Sequence, residues 1–325
     1  MKKSYYLVLI LLLSIFFSCS HSVEMRHHLE MDKDKISYLQ STIVPLLSSL
    51  ANYSLNVHTQ KGINQIPVKE IDSLRLGDKN SFNVYKESGI IKYDLSEIDS
   101  LSFSSVSIPN RPSGALTGSA FIQSIDKLSF NERENIIKEE ILKGNIPDFF
   151  RNMCRIKTLL KDSLGLQHEV ILEVMKDYLS VGTNEDFVRI PMGPQTAQAI
   201  ADIFKCSMPT RKIVDIIFSE TMFKIDPVTY YPVGNTNELV ITFYKHNKDI
   251  QARLAATGAR SGCLTGGLKK DVVITNQLSL KPDKVAIYGW HKPDGKPIQP
   301  LYTGHVNWYT DYSHGIRLIN SVVRV

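Results

Sequence analysis

The feature that most narrows the fold is an internal repeat. Tyr53–Leu76, YSLNVHTQKGINQIPVKEIDSLRL, aligns without a gap on Asn80–Phe103, NSFNVYKESGIIKYDLSEIDSLSF. Both copies carry EIDSL, at Glu70–Leu74 and Glu97–Leu101, and Gly62 falls on Gly89. Segments such as SFNVYK and IIKYDL alternate apolar with polar residues on either side of a turn at ESG, which is how a strand with one face on a core reads. Each copy therefore predicts a hairpin and a short final strand. Asp72 and Asp99 open that strand, where a carboxylate bonds the turning backbone. Two such units are expected to form a small β-meander over residues 53–105. No catalytic pattern accompanies it, and its charged residues read as a solvated face.

Ahead of the repeat, the chain opens with MKKSYY, runs through the apolar stretch Leu7–Phe17 and reaches Cys19 after a serine. A basic start, a short apolar core and a small residue make up an export signal. The core is shorter than the roughly 20 residues that span a bilayer. The pattern resembles the lipobox of bacterial lipoproteins, where cleavage precedes the cysteine and its thiol and amine are acylated. Phe16 and Phe17 depart from that motif, which has a small aliphatic residue there. The resemblance implies a signal peptide over residues 1–18 and lipidation at Cys19. The chain is then expected in the bacterial cell envelope, exported and held on a membrane by its lipid. Residues 19–52 are expected to be a stalk with a short helix. The repeat itself, with its "IDSLxF" ends, resembles strand repeats behind the lipidation site in surface lipoproteins of Bacteroidetes.

With Cys19 acylated, Cys154, Cys206 and Cys263 remain, and no CxxC spacing or histidine at ligand spacing accompanies them. Neither a disulfide framework nor a structural zinc site, which takes four clustered ligands, is expected. Cys154 and Cys206 read as small buried hydrophobes. Cys263 lacks a nearby base to make its thiolate. The net charge of +5 comes from dispersed lysines and arginines, without the basic stripe of a nucleic-acid binder. No glycine-rich phosphate loop occurs, and no cofactor is assigned.

Residues 106–115, rich in Ser, Pro and Gly, read as a linker to a second domain over 116–325. There FNERENIIKEEILKG predicts a helix capped by Asn131 and stopped by Gly144. GPQTAQAIADIFK predicts a second helix, and MPTRKIVDIIFSETM a third, capped by Thr210. HEVILEVMKDYLSVG predicts two strands, followed by strands at ELVITFYK, KDVVITNQL, DKVAIYGWH and TDYSHGIRLI. Helices first and a mainly antiparallel sheet later predict an α+β domain. The segments LTGSAFIQSI, ILKGNIPDFFR, VGTNEDFVRIPMGPQTAQAIAD, MPTRKIVD, LKKDVVITNQL and VAIYGWHKPDGKPIQPLYTGHVNWYTDYSHGIRLI resemble a family of secreted bacterial proteins to which no activity attaches. That resemblance implies one domain over about 116–325. SHGIRL is also similar to the SHGCIRL motif of L,D-transpeptidases. It lacks their nucleophilic cysteine, so that activity does not carry over.

The polar residues of the C-terminal stretch supply the candidate chemistry. Asp311, Tyr312, Ser313, His314 and Arg317 lie in DYSHGIRLI, more polar groups than a packing strand tolerates. Regular alternation puts Asp311, Ser313 and Arg317 on one face and Tyr312 and His314 on the other. An aspartate orienting His314 is then expected from elsewhere, such as Asp271. His314 titrates near neutral pH and suits a general acid or base. Ser313 or a water is the attacking group, and His305 is a second catalytic candidate. Lys269, Lys270 and Arg317 are expected to bind anionic groups, with His291, Trp290 and Tyr312 also lining the substrate. Three histidines suit zinc, but no HExxH or paired-ligand motif backs a metal, and none is assigned. With Tyr302, Trp308 and Tyr309, the aromatic residues fit a sugar-stacking cleft. The expected function is an envelope hydrolase or transferase acting on a glycan or peptidoglycan fragment, without nucleic acid. The alternative is a non-catalytic ligand- or carbohydrate-binding surface lipoprotein. Histidines converging with a carboxylate favour the enzyme, and histidines scattered beside an aromatic groove favour the binder.

Overall fold

A computed structural model describes residues 53–323, apart from 60–61, 78–80, 105, 107 and 231–235. Cys19, the signal peptide and the stalk lie outside the described residues. The chain divides into two compact units between residues 105 and 106, and together they are α+β. Among the described residues no helix is long and apolar enough to cross a membrane.

The first unit is built by the repeat. Its strands are β1 (Ser54–Thr59), β2 (Gly62–Pro67), β3 (Ser73–Gly77), β4 (Ser81–Lys86), β5 (Gly89–Asp94) and β6 (Ile98–Ser104). The consecutive strands β3, β4 and β5 form one antiparallel sheet, while β6 returns to β1 to complete β2-β1-β6. Each sheet thus joins the hairpin of one repeat to the last strand of the other. The pairing follows from the core. Leu55 and Phe82, Val57 and Val84, and Ile66 and Tyr93 hold equivalent places in the two copies, and all six are buried together with Leu74. One hairpin offers too small an apolar face to be stable alone, and the exchange encloses both faces at once. Gly89, with φ +134°, lets the β4–β5 chain reverse directly after Glu87 and Ser88, a conformation that L side chains avoid.

The second unit starts earlier than the composition of 106–115 implies. Val106 and Ile108 are buried in its main core. The buried Arg151 guanidinium donates to the carbonyls of Pro109, Ile146 and Gly144. Arg111 reaches the Asn145 side chain at 3.0 Å. Proline-rich backbone offers free carbonyls, and a buried arginine collects them. This segment is therefore part of the folded unit, not a linker.

Helices α1 (Gly118–Ile125), α2 (Phe130–Leu142), α3 (Pro194–Phe204) and α5 (Val240–Ala256) share that main core. Helix α2 is capped by Ser129, not Asn131. Ser129 and Glu132 form a reciprocal capping box, a stronger arrangement than a lone asparagine. Helix α4 (Arg211–Glu220) is capped by Thr210 as expected. It packs Ile217 on the sheet carrying β7 (Cys154–Lys161) and β8 (Gln167–Val174). Short strands β9 (Ser180–Gly182) and β10 (Phe187–Arg189) pair with each other.

ELVITFYK is not a strand but the start of α5. The buried Val240, Phe243, His246, Asn247, Ile250 and Leu254 recur at helical spacing, and burial of that stripe overrides the β preference of Val, Ile, Thr and Phe. The remaining strands are β11 (Cys206–Ser207), β12 (Lys270–Val272), β13 (Ile287–His291), β14 (Pro297–Tyr302), β15 (His314–Gly315) and β16 (Ile319–Asn320). They complete two four-stranded sheets, β11-β16-β8-β7 and β14-β13-β12-β15, in which only β12–β15 is parallel.

Because the two units have separate cores, Phe82→Ala should cost the first about 3–5 kcal/mol and abolish its melting transition. The transition of the second should remain in place. Calorimetry of the variant, and of a chain beginning at Val106, checks this; loss of both transitions together would contradict it.

Candidate functional site

DYSHGIRLI is not one continuous strand. Between Asp311 and Ile319 only His314–Gly315 and Ile319 have strand geometry. The cause is Asp311, whose carboxylate accepts from the Ser313 amide at 2.8 Å while its carbonyl accepts from the His314 amide at 3.1 Å. Such side-chain bonds compete with a sheet ladder and turn the chain. The turn overrides the expected alternation. His314 Nε2 lies 4.0 Å from Asp311 Oδ1, so the two residues face each other. Register does the rest, since β12 aligns Lys270 with His314, and the Lys270 amide donates to Ser313 O at 2.7 Å.

Asp311 is the anchor of this cluster. Ser313 Oγ donates to its Oδ1 at 2.6 Å and the Tyr309 hydroxyl to its Oδ2 at 3.0 Å. Burial opposes its ionisation, but His314 and the Ser313 hydroxyl hold the carboxyl at about 2. His314 is 1% exposed and its Nε2 has no partner. Burial pushes it down to about 4 against the pull of Asp311, so it is neutral at physiological pH. His305 stacks on Tyr309 with centroids 4.4 Å apart, and both rings lie against His314, at 6.0 and 5.7 Å. His305 and Tyr309 are half-buried, and beyond them Trp308 and Tyr302 are exposed.

Other candidates fall elsewhere. Asp271 accepts from the Tyr178 hydroxyl at 2.8 Å and sits 4.0 Å from Arg317. It does not orient His314, and burial raises it to about 7. Lys269, expected to meet anionic groups, is fully buried. Its Nζ donates to Tyr312 O at 2.6 Å and lies 3.3 Å from His246 Nδ1. Arg317 is spent on the carbonyls of Met175 and Thr265 and covers the Tyr178 ring. Ser313 is buried with its hydroxyl committed to Asp311, a positioning residue rather than a nucleophile. Trp290 and Tyr312 are core residues, 5% exposed each, not cleft walls. His291 lies apart, bonded to Asp215 at 3.1 Å and stacked on Phe218. Of the basic candidates only Lys270 stays at the site, its Nζ 5.2 Å from the Trp290 ring centroid.

The sequence reading missed His246, which α5 brings under Tyr312, and Asp215, the partner of His291. Both pairings join residues far apart in the chain and leave no local signal. Among the described residues, no three His, Cys, Asp or Glu side chains group as metal ligands. A cavity of about 550 Å³ opens where α4 begins, between Arg211 and Gln277, and none of the histidines lines it. No protein-family model, curated protein or solved structure matches the chain.

Stability should report the state of His314. The folded imidazole takes its proton only near pH 4, whereas an unfolded histidine takes it near 6.5. Between those values the unfolded chain binds more protons, so stability present above pH 6.5 is lost as pH falls, by about 2 kcal/mol at pH 5. Relative to wild type, His314→Gln should therefore gain about 2 kcal/mol between pH 7 and pH 5, seen as a melting temperature that falls less on acidification. A pH-independent difference would contradict a buried neutral histidine.

Proposed function

We propose that the chain is a cell-envelope lipoprotein, tethered through Cys19, whose second unit hydrolyses or transfers a glycan or peptidoglycan fragment at Asp311, His314 and His305. The observation that carries this reading is a buried, unpartnered imidazole nitrogen beside an ionised carboxylate, directly beneath a partly exposed histidine. Perturbed titratable groups gathered in this way are what acid–base catalysis requires. Neutral His314 takes a proton from the attacking water, and Asp311 stabilises the imidazolium that results. The attacking group is water because the Ser313 hydroxyl is already bound to Asp311. The proton passes from the His314 imidazolium through His305, which lies nearer solvent, to the leaving group. Lys270 supplies positive charge beside them, and the exposed Trp308 and Tyr302 offer faces for sugar rings.

Those two exposed aromatics also favour the second reading, a module that binds the same fragments and leaves them intact. Incubation of the soluble chain from residue 22 with purified cell-wall fragments, read by mass spectrometry, separates the two. New products that vanish in His314→Gln, with at least about a 10²-fold loss of rate and an unchanged melting temperature at pH 7, support the enzyme. Bound but unaltered fragments support the binder. For the tether, Cys19→Ala should abolish incorporation of a palmitate analogue, and unchanged labelling would refute lipidation there.

A further inference from the structure

Six buried side-chain atoms without a hydrogen-bond partner fall on segments that meet around residues 307–314: Arg133 Nε, Glu134 Oε1, Asn237 Oδ1, Trp290 Nε1, Thr310 Oγ1 and His314 Nε2. Contacts link several of the residues that carry them. The Tyr312 amide donates to Asn237 O at 3.0 Å, and Trp290 packs edge-on to Tyr312. Arg133 Nη1 donates to Glu238 O at 3.3 Å, beside Asn237. Glu134 Oε2 accepts from the Gly193 amide at 2.9 Å, and a Cβ at Gly193 would meet both that oxygen and Asn307 O. Arg133 is 7% exposed, lies over the Phe130 and Phe243 rings, and has no ion pair among the described residues, with Glu134 and Glu238 as its nearest charges.

Native proteins pair nearly all buried polar atoms, because an unpaired one forfeits its hydration without return. Six in one region therefore point to a ligand that completes them. Arg133 and Trp290 can only donate, and Asn237 Oδ1 is a free acceptor; the Glu134 carboxylate already takes the Gly193 amide and the Thr196 hydroxyl and keeps Oε1 open, while Thr310 and His314 can do either. With two carboxylates beside Arg133, an anion would be repelled. Hydroxyl groups, which donate and accept at once, match the set. Exposed Trp308 supplies the apolar wall that a sugar face needs. We infer that Arg133, Glu134 and Asn237 form a subsite for the vicinal hydroxyls of a neutral sugar, which extends the His314 site. The inference rests on the proposed glycan or peptidoglycan reading and narrows it to the glycan rather than the peptide. His314 Nε2 lies under the half-exposed His305–Tyr309 stack, while Asn237 is itself half-exposed.

The test is calorimetric titration of the soluble chain with a peptide-free N-acetylglucosamine disaccharide and, separately, with a glycan-free stem peptide. The disaccharide should bind and the peptide should not. Asn237→Ala and Glu134→Gln should each weaken the disaccharide by about tenfold, the loss of one hydrogen bond at a desolvated site. Asn237 sits on a half-exposed turn, so its variant reports even if the buried Glu134→Gln fails to fold. Peptide binding, no disaccharide binding, or wild-type affinity in Asn237→Ala would overturn the subsite. Disaccharide binding that weakens in the variants while cell-wall fragments stay uncut would uphold the subsite and overturn the catalytic reading. Fragments cut without disaccharide binding would do the reverse.

Discussion

The ammonium of Lys269 holds the second unit's polar interior in place. It has no solvent exposure and touches no carboxylate, yet it donates to Tyr312 O and faces His246 Nδ1. His246 Nε2 in turn gives its proton to Val228 O at 2.9 Å, which fixes the tautomer that receives the lysine. Burial, reinforced by the nearby Arg189, brings Lys269 down to about 7. Unpaired buried charge is expensive, and Asp311 and Asp177 lie near enough to keep only part of it at neutral pH. Asp177 is itself clamped by Arg189 through bonds of 2.8 and 2.6 Å. One long side chain just before β12 thereby ties α5 to the C-terminal segment and sets where residues 312–314 pass.

Asp311 turns that placement into chemistry. The same carboxylate that breaks the strand, by capturing the Ser313 amide, is the charge that faces His314. Ser313 then acts on His314 through Asp311, by keeping the carboxylate ionised and still, whereas Tyr309 both bonds Asp311 and packs its ring against His314. Trp290, held at φ +54°, adds local backbone strain beside Lys270. Strain of that kind in a non-glycine residue persists only where surrounding packing enforces it.

Much of the scaffold was legible in the sequence because its signals are local. The repeat exposed the strand pattern of residues 53–105, and Thr210, Pro194 and Gly144 marked helix ends through capping chemistry. Two misreadings have the same physical origin. VITFY carries β-forming residues, but the buried stripe from Val240 to Leu254 is decided by what it packs against. TDYSHGIRLI alternates well enough for a strand, yet a single carboxylate bonding two residues ahead broke it. The site was only half legible. His305, His314 and Lys270 stood out by type, whereas the burial of Lys269 and Arg317, and the pairing of Asp271 with Tyr178, depend on contacts spanning much of the chain. Similarly, Pro and Gly in 106–115 signalled irregular backbone, which the buried Arg151 then converted into core.

The exchanged last strands of the repeat make its two copies interdependent. Each hairpin is completed by the final strand of the other copy, because β3 joins β4–β5 and β6 joins β1–β2. This is the arrangement of a strand-exchanged symmetric pair, held here within one polypeptide. Both partners are always present on the same chain, so forming the pair does not depend on concentration.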